Sequence, residues 1–233
     1  MIQNLDILTS LTRKYESNND PAMVSSGYGD IGGISFGKYQ FSSTVGVANE
    51  FVNWLCSYPE KAFANYGKVL LENYPVDGIN FINTWKQIGI IDPGNFGRLQ
   101  DEFMLKQYYY PMFPLLKNKY FTIDKHSPAV QAVIVSRSVQ NGPNGCAKLF
   151  ELACTEMLEF DNLSYIDDPY FDDQLITAIY DFLIDECDSV YWDNNAGYYR
   201  SDYNFCHAYN MSVINGLRNR FIHEKTDALN LLK

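Results

Sequence analysis

Between Ala22 and Phe41 the chain carries five glycines, Gly27, Gly29, Gly32, Gly33 and Gly37, with helical patterning on both sides. Glycine weakens a helix interior by roughly 1 kcal/mol and admits backbone conformations that other residues avoid. This stretch therefore interrupts the helices. Ile34, Phe36, Tyr39 and Phe41 fall at roughly alternate positions, close to the period of a strand with one buried face. The segment reads as a small β-hairpin or irregular β-lobe. Ahead of it, Ile2, Leu5, Leu8, Leu11 and Tyr15 recur every three or four residues, an amphipathic helix that Asn18-Asn19-Asp20-Pro21 stops.

After Ser42 the pattern is helical throughout. Val45, Val47, Ala48, Phe51, Val52, Trp54 and Leu55 form one apolar face, with Ser42 or Ser43 as the expected N-cap. Further helices are expected over 61–73, 79–88 and 96–110, with Asp92-Pro93-Gly94 punctuating the last two. Pro128 suits the first turn of a helix over 129–139, which Asn141-Gly142-Pro143 ends. The remaining expected helices cover 146–160, 171–192 and 203–232. The predicted fold is mainly α (α+β), with one β excursion near the N-terminus, and 233 residues are enough to bury a substantial core.

Charge and composition narrow the function. A net charge of −10 argues against non-specific nucleic-acid binding, which needs clustered basic residues. No apolar run approaches the ~20 residues that span a bilayer. The N-terminus lacks the basic region and apolar stretch of a secretory signal, so the expectation is cytoplasmic synthesis, no membrane insertion, and delivery elsewhere by another route. Cys56, Cys146, Cys154, Cys187 and Cys206 are odd in number and form no Cys-x-x-Cys pair. They are expected as buried reduced thiols rather than a disulfide framework or zinc site. His126, His207 and His223 are too scattered for a metal site, and no metal or organic cofactor is expected.

Glu16 follows Tyr15 at the edge of the first apolar stripe, and Asp30 lies fourteen residues on, among the glycines. Cleaving a glycosidic bond needs a carboxylic acid whose pKa is raised by an apolar setting, and a second carboxylate can serve as base or stabiliser. Each residue also has a plainer reading. A lone glutamate often sits solvated at a helix end, and an aspartate between glycines often only closes a turn.

Tyr15-Glu16-Ser17 followed by Gly29-Asp30-Ile31-Gly32-Gly33-Ile34-Ser35-Phe36-Gly37-Lys38-Tyr39-Gln40-Phe41 resembles the catalytic half of lysozyme-like proteins. It is similar to lytic transglycosylases, goose-type lysozymes and chitosanases, and most of all to peptidoglycan hydrolase domains of phage tails and contractile injection particles. Ser136-Arg137-Ser138-Val139-Gln140-Asn141-Gly142 resembles a stretch of their helical lobe. The resemblance covers residues 12–46 and, more weakly, 128–145. It implies a single lysozyme-like domain over 1–233, with a catalytic helix, β-lobe and following helix in 1–58 and a large helical lobe in 59–233. It also implies a muramidase-type glycosidase acting on peptidoglycan or a related amino-sugar polysaccharide at the cell wall, delivered by a particle or by lysis, with particle proteins as partners.

By that resemblance Glu16 is the general acid, Asp30 the base or stabilising carboxylate, and Tyr39 and Gln40 line sugar subsites. Ser35 would support the Glu16 carboxylate, and Ser136 and Gln140, one helical turn apart, would reach the cleft or else bond between helices. Tyr108-Tyr109-Tyr110 and Tyr198-Tyr199, from a total of eighteen tyrosines, are either sugar contacts or core. The alternatives are a lytic transglycosylase, a chitosanase, a non-catalytic wall-binding or structural component, and a cysteine peptidase or amidase built on Cys146 with His207 or His223.

Overall fold

A computed structural model describes residues 5–16, 19–25 and 33–233, with the Glu16 side chain outside the description. The first helix forms as α1 (Leu5–Leu8) and α2 (Ser10–Glu16). The hydrogen-bond ladder runs on through Thr9: its N–H donates to Leu5 O at 3.1 Å and its carbonyl accepts from Arg13 N at 2.8 Å. The chain divides into two compact units, Glu16–Gln107 and Met1–Tyr15 with Tyr108–Lys233.

The unit Glu16–Gln107 contains the expected hairpin, β1 (Ser35–Phe36) and β2 (Phe41–Ser42), with Ser35 opposite Ser42 and Phe36 opposite Phe41. Four helices follow: α3 (Val47–Cys56), α4 (Lys61–Glu72), α5 (Ile79–Ile91) and α6 (Pro93–Met104). Phe51 lies at the centre of their core, its ring 5.2–5.9 Å from those of Phe41, Trp54, Trp85, Phe96 and Phe103. These rings come from the hairpin and from α3, α5 and α6. The cap of α3 differs from expectation: it is Gly46 at φ 93°, with no side-chain bond. Ser42 instead accepts from Val45 N within the preceding turn, at 3.1 Å. The Asp92-Pro93 signal opens α6 as its chemistry suggests, Asp92 accepting from Asn95 N at 3.2 Å with Pro93 in the first turn.

The second unit adds α7 (Met112–Lys117), α8 (Pro128–Leu152), α9 (Asp172–Asp188) and α10 (Met211–Asn230). Within α8, Gly142 has φ 69° and ψ 161°, so the helix breaks where Asn141-Gly142-Pro143 signalled an end and then resumes. The expectation of a single β excursion is corrected here. α9 stops at Asp188, and β3 (Tyr191–Asp193), β4 (Tyr198–Arg200) and β5 (His207–Ala208) form an antiparallel sheet in the order β3-β4-β5. Asp193 accepts from Asn195 N and Ala196 N at 2.9 and 3.2 Å, and Gly197 at φ 75° completes the turn. The expectation of reduced thiols is corrected as well: Cys187 and Cys206 are disulfide-bonded, their Cα atoms 5.3 Å apart, while Cys56, Cys146 and Cys154 are free. Among the described residues no helix is long and apolar enough to cross a membrane.

Candidate active site

Glu16 is the last residue of α2, and its side chain and the whole of Asp30 lie outside the described residues. What the structure does describe is how the chain on either side of this pair is fixed. Lys14 donates to Asp227 at 2.6 Å, and the Tyr15 hydroxyl donates to the same carboxylate. Burial raises the Tyr15 phenol, and the Asp227 bond and charge push it further, so it stays protonated as a donor. Burial alone would raise Asp227, but the bonds from Lys14 and Tyr15 outweigh it and hold the carboxyl below its usual range. The end of α2 is thus tied to α10.

Behind that tie lies a buried ion cluster. Arg137 of α8 and Glu224 of α10 are both fully buried, and Arg137 Nη2 lies 2.7 Å from each carboxylate oxygen. The Ser136 hydroxyl donates to Glu224, and the carboxamide oxygen of Gln140 accepts from Arg137 Nη1. Arg220 sits 3.4 Å from Glu224 and 5.8 Å from the centre of the Tyr15 ring. Tyr180 completes the wall, its phenol pushed far up by burial and by Glu224. Taking two charges out of water costs several kcal/mol per ion before pairing offsets it, so a fully buried pair is a weak source of stability. Its useful product is a fixed orientation for α2, α8 and α10. Ser136 and Gln140, expected on one face of α8, both serve this cluster.

In the other unit the segment Gly37–Gln40 forms the turn of the hairpin, and α6 grips it. Gln100 accepts from Lys38 N at 2.8 Å and donates to Pro21 O at 3.0 Å, an oxygen that also accepts from Trp85 Nε1 at 2.9 Å. Lys38 Nζ reaches both oxygens of Asp101 at 2.6 and 2.9 Å, in a site where both residues are buried. The Tyr39 hydroxyl donates to Asp101 Oδ1 at 2.5 Å, and its ring stacks on Phe41. Gln40, at φ 52°, turns its amide back onto Gly37 O at 2.9 Å. Ser35 is buried, and its N–H donates to Ser25 Oγ at 2.8 Å. Gln100 and Asp101 went unread in the sequence. A Gln-Asp pair in a helix carries no local signal; only its partners 62 and 63 residues away reveal it.

The sequence matches the family described as "Type VI secretion system spike protein VgrG3-like, C-terminal" over residues 8–225. The chain belongs to this family. It is 30% identical over 136 residues to the type VI secretion system spike protein VgrG3 of Vibrio cholerae serotype O1, a match covering 58% of this chain and 12% of that protein. In fold, the VgrG3-like chain is similar to native chitosanase from Bacillus subtilis MY002, with a TM-score of 0.51, 18% identity, and coverage of 97% of this chain and 89% of the other. The mainly α fold with small antiparallel sheets is therefore chitosanase-like.

The peptidase alternative meets a chemical obstacle. Cys146 is fully buried, burial pushes its thiol far up, and its Sγ lies 3.7 Å from Ile134 O. Such a thiol is not the thiolate a nucleophile needs. His207 and His223 are both exposed. His126 serves structure: its ring stacks on Phe121 at 4.0 Å, and Nδ1 lies 2.6 Å from Asp172. Among the described residues, no group of three or more His, Cys, Asp or Glu is placed to hold a metal ion.

Proposed function

We propose that this VgrG3-like domain cleaves the glycan strand of peptidoglycan or a related amino-sugar polysaccharide, both units together forming one catalytic domain over 1–233. The observation that carries the reading is a chitosanase-like fold in which a glutamate ends the N-terminal helix and a pinned β-hairpin follows it. Glu16 protonates the glycosidic oxygen of the leaving sugar. Asp30 activates water or stabilises the developing oxocarbenium ion. The ties of Lys14 and Tyr15 to α10 fix the helix end that carries Glu16, and α6 fixes the turn that presents Tyr39 and Gln40 to the substrate. Catalytic groups depend on such second contacts for their geometry.

Membership of a spike-protein family supports delivery to the wall as part of a secretion particle, with particle proteins as partners. A tethered enzyme has a high effective concentration at its target, so a net charge of −10 is no handicap beside an anionic wall. A second reading has its own support: the chitosanase-like fold and the acidic charge both suit cationic chitosan. The test is Glu16→Gln, which keeps the shape of the side chain and removes the proton. It should fold normally and lose nearly all cleavage of peptidoglycan and chitosan alike; full activity would overturn the mechanism.

A further inference from the structure

We infer that a cavity beside the β-hairpin is a subsite for an N-acetylated sugar of the glycan strand, its acetamido group read by Asn49; the inference rests on the function proposed above and narrows its substrate. The cavity holds about 280 Å³, near the lower end of ligand pockets and enough for about one substituted sugar ring. It is lined by Ser43, Thr44 and Asn49, where the hairpin runs into α3, and by the loop Tyr74–Asp77. A Cβ on Gly33 would fall 2.4 Å from Thr44 Oγ1 and 2.8 Å from Ser43 Oγ, so these hydroxyls sit against the chain that enters the hairpin. Gly33 follows Asp30 by three residues. The cavity wall is thus continuous in the chain with the segment that carries the second candidate carboxylate, which ties the cavity to the glycan rather than to an unrelated ligand.

Asn49 is the residue that demands a ligand. Its carboxamide oxygen is enclosed and has no hydrogen-bond partner among the described residues. Native proteins leave few buried polar atoms unpaired, and each one calls for a partner. Here the donor has to come from whatever enters the cavity. Asn49 lies in the first turn of α3, so the acceptor is in place before a ligand arrives. The opposite loop is equally well supported: Tyr74 is 38% exposed with its ring edge to face on Phe81 at 5.6 Å, and Val76 is buried.

The donor set selects the occupant. An acetamido group presents an N–H on one side, a carbonyl on the other and a methyl at its end. Asn49 Oδ1 accepts the N–H, the Ser43 and Thr44 hydroxyls donate to the carbonyl, and Pro75 and Val76 give the methyl an apolar wall. The Tyr74 ring is a platform for the C–H face of the sugar. A free ammonium fits poorly, because it needs several acceptors once withdrawn from water and the enclosed acceptor is single and neutral. Asp77 is exposed, where solvent weakens its pull on a cation. Anions are disfavoured too, since the described lining residues include Asp77 and neither Lys nor Arg. A purely apolar ligand leaves Asn49 unpaired.

The experiment uses the full chain carrying Glu16→Gln, so that binding is read without cleavage. Calorimetric titration compares the N-acetylglucosamine tetramer, the glucosamine tetramer and a peptidoglycan stem peptide. Salt at about 0.15 M screens the attraction of a polycation to a chain of net charge −10. The acetylated tetramer should bind about tenfold or more tightly than the other two. Adding Asn49→Leu should weaken it by about tenfold, the worth of one hydrogen bond at an enclosed site, and leave glucosamine binding unchanged. The melting temperature should not fall, because the Asn49 oxygen has no partner in the protein to lose; a merely structural asparagine would cost stability instead. Asn49→Asp keeps the shape, adds a charge and should move the preference toward the glucosamine tetramer; it carries the test if the Leu variant misfolds. Equal affinity for the two tetramers, or an acetyl preference that survives both substitutions, would overturn the inference. So would a parent that binds neither tetramer, or that binds the stem peptide alone. If wild type cleaves no glycan while the Asn49-dependent preference holds, the catalytic reading falls and the subsite stands.

Discussion

Gly37→Ala should be far more damaging than its size suggests. At φ +69° an alanine enters the left-handed region, which costs about 1–2 kcal/mol for an L-residue. The new Cβ would also lie 2.2 Å from Gln100 Oε1 and 2.7 Å from its Cδ. Gln100 cannot swing away cheaply, because its carboxamide bonds Lys38 N at one end and Pro21 O at the other. Displacing it strands buried polar groups at about 1–3 kcal/mol, for a total of about 2–5 kcal/mol. Gly46→Ala is the control, in the left-handed region at φ +93° and ψ −3° with nothing within 4 Å of the added atom, so it should show only the conformational cost of about 1–2 kcal/mol. Urea unfolding of Gly37→Ala, Gln100→Ala and the double variant measures the difference. In the Gln100→Ala background, Gly37→Ala should cost no more than Gly46→Ala does in wild type. Equal losses for Gly37→Ala and Gly46→Ala in the wild-type chain would refute the claim that α6 grips the hairpin turn through Gln100.

Three further outcomes are expected. Asp172 is held below the usual carboxylate range, its own burial being outweighed by bonds from His126 and Ser127. A depressed folded pKa gives stability that is complete above the unfolded value of about 3.9 and is lost as pH falls through the folded value, so Asp172→Asn should flatten the fall in melting temperature below roughly pH 4. Reducing the Cys187–Cys206 bond, which closes a separation of 19 residues, should lower stability by about 3 kcal/mol; unfolding with and without reductant measures it, and no change would contradict the bond. Cys146 should resist alkylation by iodoacetamide in the native protein, and Cys146→Ala should cleave glycan as wild type does; loss of cleavage in a folded variant would revive the peptidase alternative.

Much of the fold is written in short-range signals. Glycines at 27–37 mark the hairpin region, Asp92-Pro93 and Ser127-Pro128 open helices, and Asn141-Gly142-Pro143 breaks one. The second sheet was missed although Asp193-Asn194-Asn195-Ala196-Gly197 between two aromatic pairs is a hairpin signal. Tyr191-Trp192 read as the end of α9 because aromatic residues suit either period. The disulfide was missed for the same reason, since it exists only once that sheet brings Cys206 back to α9. At the candidate site, α8 was rightly placed as the carrier of Ser136 and Gln140. Glu224, the partner of Ser136, lies 88 residues beyond it and has no local mark. Long-range polar pairing is decided by packing, and one sequence does not display it.

The central claim is that Glu16 is the acid of a glycan-cleaving site. Mass spectrometry of peptidoglycan incubated with wild type and with Glu16→Gln tests it most directly. The account predicts new glycan ends from wild type that are absent with Glu16→Gln: reducing ends if water attacks, anhydro ends lighter by one water if a substrate hydroxyl does. Identical products from both proteins, or no glycan cleavage of peptidoglycan or chitosan by wild type, would contradict it.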